Sequence, residues 1–160
     1  MFRNYSSNVL VLKVVQPALI GLMDGSVSTL APVFAVAVAS ENARLTFLIG
    51  LAAAVGAAIS MAFSEGLSDD GSLTGRGGPV LRGAITGSAT FVGGIMHTLP
   101  FLLPDIGLAL YVAFAVVGIE LLAISYIRYR YFAMSFVVST VQVVVGGALV
   151  FFAGVLIGSA

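Results

Sequence analysis

The chain has 160 residues, of which 59% are hydrophobic and only 9% charged, with zero formal net charge. Soluble domains carry about 25% charged residues, so with a mean hydropathy of +1.12 this chain reads as an integral membrane protein. It has no cysteine and one histidine, which excludes disulfides, thiolate metal sites and cysteine nucleophiles and argues against a structural zinc centre. The balanced, unclustered charge gives no footing for nucleic acid.

Residues 1–13 are expected to form a cytoplasmic N-terminal segment, and residues 14–160 a single transmembrane domain. A spanning helix needs about 20 apolar residues, and charged residues punctuate this sequence at suitable intervals. The first predicted helix runs from Val14 to about Ala39, broken only by Asp24. It is too long for the apolar core of a signal peptide and is expected to stay in the membrane. Pro17 and Pro32 bracket Asp24; each removes a backbone donor and frees a carbonyl, which membrane helices tolerate where the carbonyl is covered.

The second predicted helix runs from Leu45 to Ser64 and continues toward Glu65. The stretch 66–82 that follows is rich in Gly, Ser, Asp and Pro, a turn signature, and its Asp69–Asp70 pair reads most simply as solvated. The third predicted helix spans about Gly83–Leu103, the fourth Ile106–Ile127 and the fifth about Phe132–Ile157. "SYIRYRYF" at the end of the fourth is an interfacial belt of aromatics and arginines. Gly50 with Ala54, Gly83 with Gly87, and Gly154 with Gly158 have the small-xxx-small spacing that lets helices approach closely in lipid. The expected architecture is all-α, with five transmembrane helices.

Cytoplasmic loops retain positive charge. With the N-terminus inside, Arg3, Lys13, Arg76, Arg82, Arg128 and Arg130 all fall in the cytoplasm, and only Arg44 falls outside. The expected topology is N-in, C-out.

An acid at membrane depth costs about 2.5–3.5 kcal/mol on insertion scales and usually faces a cavity or pathway. Asp24 lies 11 residues past Lys13, roughly 16 Å into the membrane at the rise of an α-helix. Met61 and Glu65 stand four apart on the second helix and share a face. Two carboxylates and a thioether suit Mn²⁺ or Fe²⁺ better than Mg²⁺ or Ca²⁺, so Asp24, Met61 and Glu65 are the candidate metal ligands. Glu120 sits inside the fourth helix and His97 in the outer half of the third. Both are candidates for a proton or metal relay, with helix packing as the alternative for each. No Ser-His-Asp, HExxH or phosphate-loop pattern is present, so an enzyme is not expected, nor any resident cofactor.

"GLMDGSVSTLAPVFAVA" resembles the first-helix signature of the vacuolar iron transporter family, in which an Asp-Gly pair interrupts a long helix. "GLAAAVGAAISMAFSEGLS" resembles its second helix, with Ser-Met and a following Glu. "SDDGSLTGRGGPVLRG", "GGIMHTLPFLLP" and the closing "VVVGGALVFFAGVLIGSA" are similar to the bacterial members whose membrane domain is fused to an N-terminal ferritin-like domain. The resemblance runs from about Gln16 to the end. It implies a homodimer with the ion path between subunits, exporting Fe²⁺, and often Mn²⁺, from the cytosol in exchange for protons. It also carries ligand roles onto Asp24, Met61 and Glu65.

Relatives gather cytosolic iron with a long acidic segment after the second helix or with the ferritin-like domain. This sequence has a short loop and about a dozen residues in those places, which leaves open a separate ferritin-like protein as the metal donor. The expected membrane is the bacterial inner membrane, with a vacuolar-type membrane as the alternative. The competing readings of function are a divalent-cation channel and a non-transporting scaffold or regulatory subunit.

Overall fold

A computed structural model describes residues 9–68 and 70–160. Arg3 and Asp69, both expected on the cytoplasmic side, lie outside the described residues. The helices are α1 (Gln16–Ser28), α2 (Leu30–Ser40), α3 (Ala43–Ser68), α4 (Pro79–Met96), α5 (Ile106–Phe132) and α6 (Phe136–Gly158). A π-helical turn at Val11–Val15 precedes α1, and a short 3₁₀ turn at Leu99–Leu102 follows α4. The described residues contain no strand, and four stretches are long and apolar enough to cross a membrane: Val11–Ser40, Ala43–Ser68, Ile106–Phe132 and Phe136–Gly158.

The first of those stretches comprises the π turn, α1 and α2, and its two irregularities follow from its prolines. Pro17 has no N–H for the carbonyl of Lys13, and the chain just before it takes the wider π turn, with Gln16 N–H donating to the Val11 carbonyl. Pro32 likewise leaves the Ser28 carbonyl without its helical donor, and the helix breaks at Thr29. The resemblance places the interruption at the Asp24–Gly25 pair. Here the backbone is helical through that pair, and the break falls one turn later.

The break divides the helix between two partners: α1 packs on α4, whereas α2 packs on α6 and α3. Contact between α1 and α4 is backbone to backbone. A Cβ on Gly21 or Gly25 would collide with the carbonyls of Thr86 and Thr90. The same α4 helix packs its other side on α3, where Gly83 and Gly87 lie against Ala62 and Ala58. Gly154 and Gly158 of α6 abut the backbone of Ala31 and Ala35, and Gly50 meets Thr98. All three small-residue pairs thus lie at helix contacts.

Wedged between α1 and α3, α4 buries Arg82, Thr86 and Thr90 with four glycines. A helix shielded by other helices has no need of an aliphatic surface, which is why α4 is not among the four apolar spans. It ends at Met96 rather than Leu103, because Pro100 cannot donate to the Met96 carbonyl, and the chain tightens into the 3₁₀ turn. The predicted loop also shrinks, since α3 runs to Ser68 and α4 restarts at Pro79.

Phe34 centres the apolar core, its ring stacked on Phe114 at 5.1 Å and edge-on to Phe151 at 5.0 Å. Outward faces of α3, α5 and α6 are aliphatic and aromatic, with Phe63, Ile119, Leu149 and Leu156 exposed.

Candidate functional site

Asp24 follows Gly21 by three residues and precedes Gly25, and those glycines face α4. At 100° per residue, Asp24 therefore projects from the flank of α1, beside the face that the glycines turn to α4. It is half-buried in a cleft lined by Met23, Val27 and Ser28 of α1, Arg128 of α5, and Gln142 and Gly146 of α6. Among the described residues its carboxylate has no hydrogen bond or ion pair. Arg128 does not reach it; its guanidinium donates to Gln142 Oε1 at 2.8 Å and to Met134 Sδ at 3.3 Å.

Met61 and Glu65 share the stripe of α3 that carries the buried Ala54, as their spacing predicts. Glu65 is buried, and two arginines converge on its Oε1. Arg76 donates to its Oε1 at 2.7 Å, and Arg82 Nε lies 3.0 Å from the same oxygen. Arg82 Nη2 also donates to the Glu65 carbonyl and to Ser68 Oγ, both at 3.0 Å. The loop that carries Arg76 turns through Gly71, Gly75 and Gly77, all with positive φ, where glycine alone is unstrained. Neither Met61 nor Glu65 lines the Asp24 cleft. Asp24 and the Met61–Glu65 stripe are thus separate within one chain, and among the described residues no three His, Asp or Glu side chains converge.

His97 and Glu120, by contrast, are brought together. His97 Nδ1 lies 3.0 Å from Glu120 Oε2, and His97 Nε2 lies 2.9 Å from Thr29 Oγ1. The Thr29 hydroxyl donates to the Gly25 carbonyl at 2.7 Å. His97 is fully buried, Thr29 is 2% exposed and Glu120 7%. Glu120 Oε1 is buried without a hydrogen-bond partner among the described residues.

From sequence, His97 and Glu120 are visible only separately; Thr29 as their partner, and Arg76 and Arg82 as partners of Glu65, are not. The run Ser26, Ser28, Thr29 in an otherwise apolar helix was the available signal for Thr29. Nothing comparable links an arginine to a glutamate 11 or 17 residues away. Asp105 acts locally, capping α5 through its Oδ1, which accepts from Leu108 N–H at 2.6 Å.

No curated protein and no solved structure matches the chain. Residues 15–72 match the family model described as the VIT family. That stretch, less than half of the chain, contains Asp24, Met61 and Glu65 and the broken helix that presents the first of them, and over it the sequence is similar to the VIT family.

Proposed function

We propose that the protein exports a divalent transition metal, Fe²⁺ or Mn²⁺, from the cytosol by exchange for protons. The observation that carries this reading is Asp24, an acid at mid-span, half-buried and without a partner among the described residues. A structural acid at membrane depth would be hydrogen-bonded or paired; this carboxylate is left free to take a cation. Similarity to the VIT family over residues 15–72 points to membrane metal-ion transport in general, and the matched segment holds all three candidate ligands.

The separation of Asp24 from Met61 and Glu65 within one chain supports a path completed by a second subunit. The proposed assembly is therefore a homodimer, with the metal route between the two copies. Proposed orientation is N-in, C-out in a bacterial inner membrane. Lys13 lies beside Gly77 of the basic loop, so this end of the molecule holds Lys13, Arg76 and Arg82. Metal would arrive there at Glu65, where Arg76 must first be displaced.

Ligand carboxylates bind metal only when deprotonated, which gives exchange its chemical basis. Reconstituted vesicles with the cytoplasmic face outward and an acidic lumen should accumulate Fe²⁺ or Mn²⁺ against its gradient. Collapsing the pH difference at clamped potential should stop that accumulation. Undiminished accumulation would mean a channel or uniporter, and no flux at all would favour a scaffold.

A further inference from the structure

Glu120 Oε1, Glu120 Oε2, His97, Thr29 and the Gly25 carbonyl form one buried line running from α5 through the end of α4 to the α1–α2 break. Proton positions along it follow from the donors available. The one hydrogen of the Thr29 hydroxyl goes to the Gly25 carbonyl, at 2.7 Å. Thr29 Oγ1 must then accept from His97, which puts a proton on Nε2. With Nε2 protonated, the 3.0 Å contact between Nδ1 and Oε2 requires a second proton between them; otherwise two lone pairs would face each other. The unpartnered Oε1 fits the same count. A carboxyl group whose charge is neutralised by a shared proton tolerates an orphan oxygen better than an isolated carboxylate does.

We infer that the His97–Glu120 pair is a proton-binding site separate from the metal ligands, and that Thr29 links its occupancy to the helix segment carrying Asp24. The inference rests on the antiport reading above and names the group that would carry its proton.

Loss of one proton forces a switch along the line. When the Nε2 proton leaves, the shared proton stays on Nδ1 and donates to the Glu120 carboxylate. Nε2 becomes an acceptor, and the Thr29 hydroxyl turns from the Gly25 carbonyl to His97. The Gly25 carbonyl loses that bond, directly beside Asp24 and one turn before the break. Both arrangements keep His97 fully hydrogen-bonded, so the element has two discrete states that differ by one proton. Other ionisable groups lie away from the pair along their helices: α2 and α6 contain none, α1 contains only Asp24, those of α3 lie near its ends at Arg44 and Glu65, Arg82 lies near the start of α4, and Tyr111, Tyr126 and Arg128 of α5 stand six or more residues from Glu120.

The test uses the full chain in vesicles with Mn²⁺, following metal flux and proton counterflow together. Glu120→Gln keeps a hydrogen-bonding partner for His97 but cannot exchange the proton, and Thr29→Val keeps the shape of the link without its hydroxyl. Both variants should bind Mn²⁺ and pass it downhill as the wild type does. Both should lose proton counterflow and show uphill accumulation reduced by about tenfold or more, the range of a severed coupling. If Glu120→Gln does not fold, Thr29→Val carries the same readout alone. Variants that still couple metal to protons, beside a coupled wild type, would overturn the inference and leave the antiport reading intact. Loss of downhill flux along with coupling would also overturn it, since the pair would then be structural or a ligand. A wild type without proton counterflow would remove both.

Discussion

Arg82 holds Glu65 at two points, its Nε 3.0 Å from the carboxylate and its Nη2 donating to the backbone carbonyl of the same residue. The guanidinium is 1% exposed, so one of the two ends of the pair sits fully inside the protein. Removing one partner of a buried pair leaves an uncompensated charge, at a cost of about 3–5 kcal/mol. Arg82→Gln is therefore expected to destabilise the protein by roughly that amount, measured as lost folded yield or earlier unfolding in detergent. A variant as stable as the wild type would show that water already screens this pair.

Arg76 belongs to the same cluster but has a different role. Its side chain is 20% exposed and sits on a glycine-rich loop, and its removal leaves Glu65 still facing Arg82. In the proposed route its charge occupies the position an arriving dication would need. Arg76→Gln should cost less stability than Arg82→Gln and raise transport at sub-saturating metal, visible as a lower half-saturating concentration. An unchanged or weakened apparent affinity would mean that metal does not pass Glu65.

Asp24→Asn preserves shape and removes a charge from mid-membrane, which if anything eases insertion. The variant should fold, insert and fail to transport, with flux at the level of empty vesicles. Wild-type rates would remove Asp24 from the pathway. Met61→Leu nearly conserves volume while deleting the soft thioether, so it should alter the preference among metals more than the rate with any one of them.

The tightest contact in the fold makes a stability prediction. A methyl at Gly25 must enter the Thr90 carbonyl, and backbone on both sides cannot yield easily. Gly25→Ala should cost about 1–3 kcal/mol or more, as overpacking does, and should reduce folded yield. Gly56→Ala, where nothing among the described residues lies within 4 Å, should be neutral or gain about 0.5–1 kcal/mol of helix stability. Equal behaviour of the two variants would mean that α1 and α4 are less closely apposed.

How much of this was written in the sequence depended on whether a signal was local. The lipid-facing helices were legible because lipid demands a continuous apolar run, as in Ile106–Phe132 and Phe136–Gly158. Shared faces within one helix were legible too, so Met61 and Glu65 fall on one stripe. The break at Thr29 was not legible there: from sequence Pro32 reads only as a proline that frees a carbonyl, and the resemblance points to the Asp24–Gly25 pair one turn earlier. Partnerships between helices had no such mark. His97 pairs with Glu120 across 23 residues, and Glu65 with Arg82 across 17, because of how α4 is wedged into the bundle. That placement comes from packing of buried glycines and threonines, which carries no period linking one helix to the next.

The last prediction concerns what covers Asp24. Its cleft is open along Ser28, which is exposed and one turn from the acid on the same helix. A carboxylate in an open cleft at mid-membrane is unfavourable against lipid, and a second copy meeting it across a two-fold axis would close both clefts at once. A residue near such an axis lies close to its own counterpart. The chain contains no cysteine, so a single introduced thiol reports on this directly. Ser28→Cys should give a disulfide-linked dimer under mild oxidation in membranes. Ile59→Cys, 55% exposed on α3, should stay monomeric on the same gel. Crosslinking at Ile59 alone would move the interface to α3, and with it the proposed metal route away from Asp24.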